Sequence, residues 1–304
     1  MTKQQTGYLP FHERAQNPPP MRLTKRDREI ITAVYAYKIL ASPQIEVLFF
    51  PSQPGKTHSR RSACQRRLQL LFHHAYLDRL FIPLVIGQGR TPFIYTLGAQ
   101  GAALIATKLG LDAGTMRRQP KTNKKGSLFL EHTLAVNNVR VMGDCLARSS
   151  QWQLASWLDD AIFRQEDYRE KVPFRHQGGQ IRRHYPDGYF VLQPLNEAKK
   201  AHFFLELDLG TMSNARWREK VQAYTQFRES GRAAQHYGTN KFRLLTVTTS
   251  ARRLANLKRT TEKAGGTRFF WFTTQEQIDI EQPENLLAPI WSVSTKKGQY
   301  ALFG

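Results

Sequence analysis

The chain has 304 residues, 40% of them apolar, with 45 Lys and Arg against 24 Asp and Glu. That length and apolar content suffice for two packed domains, and a net charge of +21 selects a polyanionic partner. No uninterrupted apolar run approaches the roughly 20 residues that cross a bilayer, so a membrane partner is not expected and nucleic acid is. The two cysteines, Cys64 and Cys145, are too few for a four-cysteine zinc site or a disulfide framework. The start, MTKQQTGYLPFHERAQNPPP, is polar and ends in prolines. It reads as a flexible arm over residues 1–21 rather than a signal peptide, and the expected location is the cytoplasm.

Charge is concentrated early: residues 1–125 hold 20 Lys and Arg against 6 Asp and Glu. Within them, Thr24 can cap a helix with Asp27 in its first turn, followed by Ile30, Ile31, Val34 and Tyr37 at helical spacing. Ser42-Pro43 starts a second helix, because proline at the first helical position sacrifices no hydrogen bond. A third runs from about Ser59, with Cys64, Leu68, Leu71, Phe72 and Ala75 on one stripe. Its other face carries Ser62, Gln65, Arg66, Gln69 and His73, preceded by Arg60 and Arg61, which are groups suited to base edges and phosphates. Two apolar β-type segments then flank Gly87-Gln88-Gly89-Arg90, a hairpin with a basic tip at Arg90. Three helices followed by such a hairpin predict a winged helix-turn-helix over residues 22–115, with the third helix in the major groove. The adjacent His73 and His74 diverge by about 100° on a helix, so they are not read as a metal pair. The basic, Pro- and Gly-interrupted stretch at 116–126 reads as a linker to a second domain, 127–304.

That second domain opens with a long helix over 127–149, on which Glu131 and His132 fall on the apolar packing stripe and so need partners. HYPDGYFVL then leads into a β-segment, and HFFLELDLGT reads as a buried strand in which Glu206 and Asp208 point to the same face. A helix from Ser213 presents Trp217, Val221, Tyr224 and Phe227 on its apolar side, with Lys220 among them, aimed at the sheet. RLLTVTT, a helix over 250–264 and RFFWFTT complete an α/β pattern. Asp187 and Glu206, with Glu131 or Asp208, are expected to converge with Lys220 at the strand ends. Carboxylates so gathered would suit Mg²⁺ or Mn²⁺ beside a scissile phosphate, with Lys220 acting on the attacking water. The competing expectations are that Asp187 is a turn residue of Pro-Asp-Gly and that Glu206 and Asp208 pair with arginines such as Arg216.

PDGYF, FFLELDLGT, RWREKVQAY and RLLTVTTS, together with LTKRDREIITAVYAYKIL and YTLGAQGAALIA, resemble the replication-relaxation family of plasmids and mobile elements. The resemblance implies a winged helix followed by a PD-(D/E)xK-like (restriction-endonuclease-like) α/β domain, with Asp187 and Glu206 as its acids. This chain departs from that pattern in having Asp208 where the lysine stands. Two functions follow as expectations. One is a Mg²⁺- or Mn²⁺-dependent DNA endonuclease or nickase using Asp187, Glu206 and Lys220; the other is a non-catalytic replication or transfer protein on a degenerate nuclease fold. The expected partners are duplex DNA, replication or transfer proteins of the element, and a second copy of the chain. A tyrosine relaxase is disfavoured by the lack of a His-x-His strand, and an ATP-driven motor by the lack of a G-x-x-x-x-G-K-[ST] loop.

Overall fold

The computed structural model describes residues 9–51, 57–80, 92–112, 126–148, 151–164, 173–175 and 181–303. It is a mixed α and β structure forming two compact units, Met1–Asn137 and Asn138–Gly304. The stretch expected as a linker lies almost wholly outside the described residues, and the units divide inside a long helix that follows it.

In the first unit, α1 (Lys25–Tyr37) starts at a capping box in which the Thr24 hydroxyl accepts from the Asp27 amide while the Asp27 carboxylate accepts from the Thr24 amide. A two-residue strand β1 (Leu40–Ala41) leads into α2 (Ser42–Phe49), with Pro43 in its first turn. Then come α3 (Thr57–His73), β2 (Leu77–Leu80), β3 (Ile94–Leu97) and α4 (Ala99–Leu109). The three strands form one sheet in the order β1-β3-β2, with β2 and β3 antiparallel. The three expected helices and the paired segments are present in the expected order; the hairpin tip with Arg90 lies outside the described residues. Ala75, assigned to the helical stripe by periodicity, is instead past the end of α3 at φ +58°. The chain turns there so that Gly98 and Gly101 abut it: a Cβ on either would sit 2.3 Å from Ala75 O or 2.2 Å from Tyr76 O. Helix α4 therefore starts on glycine because two backbones touch.

The arm is not free where it is described. Arg14 Nε donates to Phe72 O (2.9 Å), Ala15 N to His73 Nδ1 (3.0 Å) and Arg79 Nη1 to Phe11 O (3.0 Å), while Pro19 O pairs with His74 Nε2 (2.9 Å).

The long helix α5 (Ser127–Arg148) crosses the division. Its first half belongs to the first unit, where Gln44 Nε2 donates to Leu134 O and Asn137 Nδ2 to Ile39 O. The second unit is built on a seven-stranded sheet with β4 (Trp152–Asp159), β7 (Gly188–Pro194), β8 (Ala201–Asp208), β9 (Phe242–Thr248), β10 (Phe270–Thr274), β11 (Trp291–Val293) and β12 (Gln299–Tyr300). A short α6 (Asp160–Phe163) and a separate β5–β6 pair (Pro173–Arg175, Ile181–Arg183) intervene. The order is β12-β11-β10-β9-β8-β7-β4; β8, β9 and β10 are parallel, and β7 is antiparallel to both neighbours. One face packs on α7 (Asn214–Glu229), α8 (Arg232–Tyr237) and α9 (Ala251–Lys263), through Phe204, Leu244 and Phe272 against Trp217, Val221, Tyr224 and Leu257. Alternation puts Glu206, Asp208, Thr246 and Thr248 on this same face, nearer the C-terminal ends of the parallel strands.

Candidate functional site

Two helix faces and one end of the sheet carry the residues of interest. On α3, Arg61, Ser62, Gln65 and Arg66 are exposed and Gln69 is half-buried. Arg60 and His73 are not on that surface. Arg60 is buried with its Nε 2.9 Å from Glu46, because α2 delivers a carboxylate to the inner side of α3. His73 lies beneath the arm, accepting from Ala15 N, and burial, then Arg79, Arg14 and His74, holds its imidazole below the usual range. Helical spacing puts His73 outside because it carries no account of the arm, whereas Arg60, a groove candidate for its charge, falls on the stripe of Cys64 and Leu68 and faces α2. Arg67, which periodicity did not single out, forms a bidentate pair with buried Asp27. Burial alone would raise the Asp27 carboxyl; hydrogen bonds from Arg67 and Thr24 outweigh it and hold it below its ordinary value.

At the sheet end, Asp187 immediately precedes β7, and the register Gly188↔Leu205 sets it beside Glu206. Asp187 N donates to Leu205 O (3.0 Å) and Leu207 N donates to Asp187 Oδ2 (2.7 Å), so the carboxylate is fixed against β8. Glu206 is 1% exposed. Lys220 Nζ donates to its Oε2, and Tyr224 Oη donates to its Oε1 at 2.7 Å. Lys220 and Tyr224 are one turn apart on α7, so a single helix face serves both oxygens. Asp187, Glu206 and Lys220 therefore come together as the sequence predicts. Burial pushes the Glu206 carboxyl above its ordinary value against the pull of Lys220, with Asp187 adding to the rise. The Lys220 ammonium is held above its own value, burial opposing, by Glu206 and Asp187. Tyr224 was read from the sequence only as an apolar contact; its hydroxyl's place on Glu206 has no signature in helical periodicity.

Of the other two expected ligands, Asp208 is held by a different cation and Glu131 is on the helix shared by the two units. Asp208 accepts from Arg253 Nε (2.7 Å) and Nη2 (3.0 Å) and from Thr248 Oγ1 (2.9 Å), an arginine pairing as the structural alternative held, though from α9 rather than Arg216. Glu131 is exposed and belongs to the first unit. Thr246, the cross-strand neighbour of Glu206, is fully buried with no hydrogen-bond partner for Oγ1 among the described residues. Among those residues no group of three or more His, Cys, Asp or Glu is placed to hold a metal ion, and no helix is long and apolar enough to cross a membrane.

Together these define a protein of mixed α and β class, with exposed basic and amide groups on one helix and a buried acid–lysine–tyrosine cluster on a sheet. It belongs to the replication-relaxation family, whose model matches residues 31–242, a span that takes in α3, Asp187, Glu206 and Lys220 and ends before Thr248 and Arg253. No curated protein and no solved structure matches the chain.

Proposed function

We propose that the protein binds duplex DNA of a plasmid or mobile element through α3 and the β2–β3 hairpin. In this reading the second unit is a nuclease-like scaffold closed by its own side chains. The order α1-β1-α2-α3-β2-β3 and the three-stranded sheet support a winged helix; the excess of positive charge in residues 1–125 supports a polyanionic partner. An acid before β7, an acid within β8 and a lysine reaching them from α7 support the PD-(D/E)xK-like layout.

The observation that carries the scaffold reading is that both oxygens of Glu206 are held by Lys220 and Tyr224. Mg²⁺ keeps several of its roughly six oxygen ligands as water and takes the rest from carboxylates with oxygens free to bind it. Of the four carboxylates expected to supply them, Asp208 is chelated by Arg253, Glu131 is in the first unit, Glu206 is occupied and Asp187 has one oxygen on the Leu207 amide. The arrangement does not fit a metal without rearrangement of this cluster. The second reading, a Mg²⁺- or Mn²⁺-dependent endonuclease or nickase, rests on the convergence of Asp187, Glu206 and Lys220.

Incubation with supercoiled plasmid and Mn²⁺ separates the two. No nicking is expected from wild type, and nicking that disappears in Asp187→Ala and in Lys220→Ala would establish the second reading. Duplex binding is tested by Arg66→Ala, which should weaken affinity for all sequences and flatten the log K against log salt slope by about 0.9 per lost phosphate contact. An unchanged slope would remove α3 as the contact surface.

A further inference from the structure

Where the arm meets the hairpin, cations and aromatic rings alternate. The Arg14 guanidinium lies 5.1 Å from the Phe72 ring centroid, and that of Arg79 lies 4.3 Å from Phe72, 4.6 Å from Phe93 and 5.7 Å from Tyr95. Phe93 in turn stacks on Phe11, with centroids 6.1 Å apart and rings within 21° of parallel. The Phe72 and Tyr95 rings are buried, Arg79 and Phe93 are half-buried, and the Arg14 side chain is partly exposed. Phe11 alone stands at the end of the series, 54% exposed.

An isolated exposed phenylalanine needs no explanation, since much of any protein surface is apolar. This one differs in that its surroundings are fixed. Its carbonyl accepts from Arg79, and the arm that follows is tied through Arg14 to Phe72 O and Asp78 and through Ala15 to His73. On the other side, Phe93 O accepts from both the amide (2.9 Å) and the hydroxyl (3.0 Å) of Ser42. An aromatic face so held loses little entropy when a flat partner lands on it. The exposed leucines, such as Leu109, Leu111 and Leu195, have no π-face to offer. Aromatic platforms backed by positive charge are how proteins hold unpaired bases, because every base offers a π-face and brings a phosphate with it.

We propose that Phe11 is a stacking platform for an unpaired nucleobase, so that the first unit holds duplex DNA next to a melted or single-stranded segment. This rests on the DNA-binding reading above and adds the form of DNA preferred. It is tested with the full chain on two oligonucleotides: a blunt duplex, and the same duplex carrying a single-stranded extension with 2-aminopurine at its first unpaired position. Wild type should bind the extended duplex more tightly and quench the 2-aminopurine. Phe11→Ala should lose about 5- to 150-fold on the extended duplex and leave blunt-duplex binding unchanged. Phe11→Trp should keep both the preference and the quenching. Equal affinity of wild type for the two DNAs, or an equal loss on both in Phe11→Ala, would overturn the platform and leave duplex binding standing. Failure of wild type to bind either DNA would instead remove the DNA-binding reading, and the platform with it.

Discussion

Glu206 and Asp208 stand two residues apart on one strand, on one face, at 1% and 2% exposure, yet they are neutralised by different means. Glu206 lies deeper along β8, where α7 crosses, and receives an ammonium and a phenol from two turns of that helix. Asp208 ends the strand, level with Thr248 on β9, and receives the planar fork of Arg253 from the first turn of α9. That fork also bonds Met212 O (2.6 Å), so one guanidinium closes both the carboxylate and the loop beyond it. Depth along the strand decides which helix supplies the counter-charge, and the supplier decides whether the pair is sealed or reaches solvent.

The largest effect should come from breaking the sealed pair. Lys220→Met leaves Glu206 buried without its cation and should cost about 3–5 kcal/mol at pH 7 in urea unfolding. Burial already raises the Glu206 carboxyl, and loss of Lys220 raises it further. The folded state then takes up this proton at a higher pH than the unfolded chain does. Stability of the variant should accordingly rise relative to wild type as pH falls from 7 towards the unfolded carboxyl value. The pair Glu206→Gln with Lys220→Met should recover most of the loss. Equal instability of the single and double variants would show that the two side chains are not coupled.

A smaller effect is expected at the end of the strand. The Arg253 side chain is 16% exposed, so water softens the loss of its charge. Arg253→Ala should cost about 1.5–3 kcal/mol, and Arg253→Lys should restore only part, since an ammonium cannot span both oxygens of Asp208 and reach Met212 O. Hydrogen exchange at residues 209–213 should quicken in Arg253→Ala and not in Lys220→Met. Faster exchange there in both would mean that the two pairs act as one unit.

These pairings mark where the sequence stops being informative. Periodicity in HFFLELDLGT and in the helix after Ser213 put Glu206, Asp208 and Lys220 on facing surfaces, and the Pro-Asp-Gly turn put Asp187 at a strand end. Those are local properties with periods of 2 and 3.6. Which acid meets which cation depends on strand register and on where each helix crosses, and neither is encoded locally. The same limit separates Arg66, exposed as expected, from Arg60 and His73, covered by α2 and the arm. Strand β4 has no period-2 signal in the sequence, because both of its faces mix polar and apolar residues, as an edge strand allows. Helix α4 has no capping side chain in the sequence, because Gly98 and Gly101 at its start answer to the backbone contact with Ala75 and Tyr76.

The smallest of the three effects belongs to Tyr224. Tyr224→Phe removes one hydrogen bond to Glu206 Oε1 and leaves the ring packed against Phe204, 5.9 Å between centroids. The expected cost is about 1–2 kcal/mol, because Lys220 still neutralises the carboxylate. This substitution uncovers one oxygen of Glu206 while sparing Asp187, Lys220 and the core, so it makes the cluster as receptive to a metal as a single atom's removal can. If the second unit is a closed scaffold, Mn²⁺ should leave the Tm of Tyr224→Phe unchanged, as Lys220 continues to hold the other oxygen. A Tm that climbs with Mn²⁺ in Tyr224→Phe, and fails to climb when Asp187→Asn is added, would show that Asp187 and Glu206 share an ion once the phenol is gone. The distinction between a sealed pair and a masked metal site therefore rests on one hydroxyl, and a thermal melt reads it without any requirement for activity.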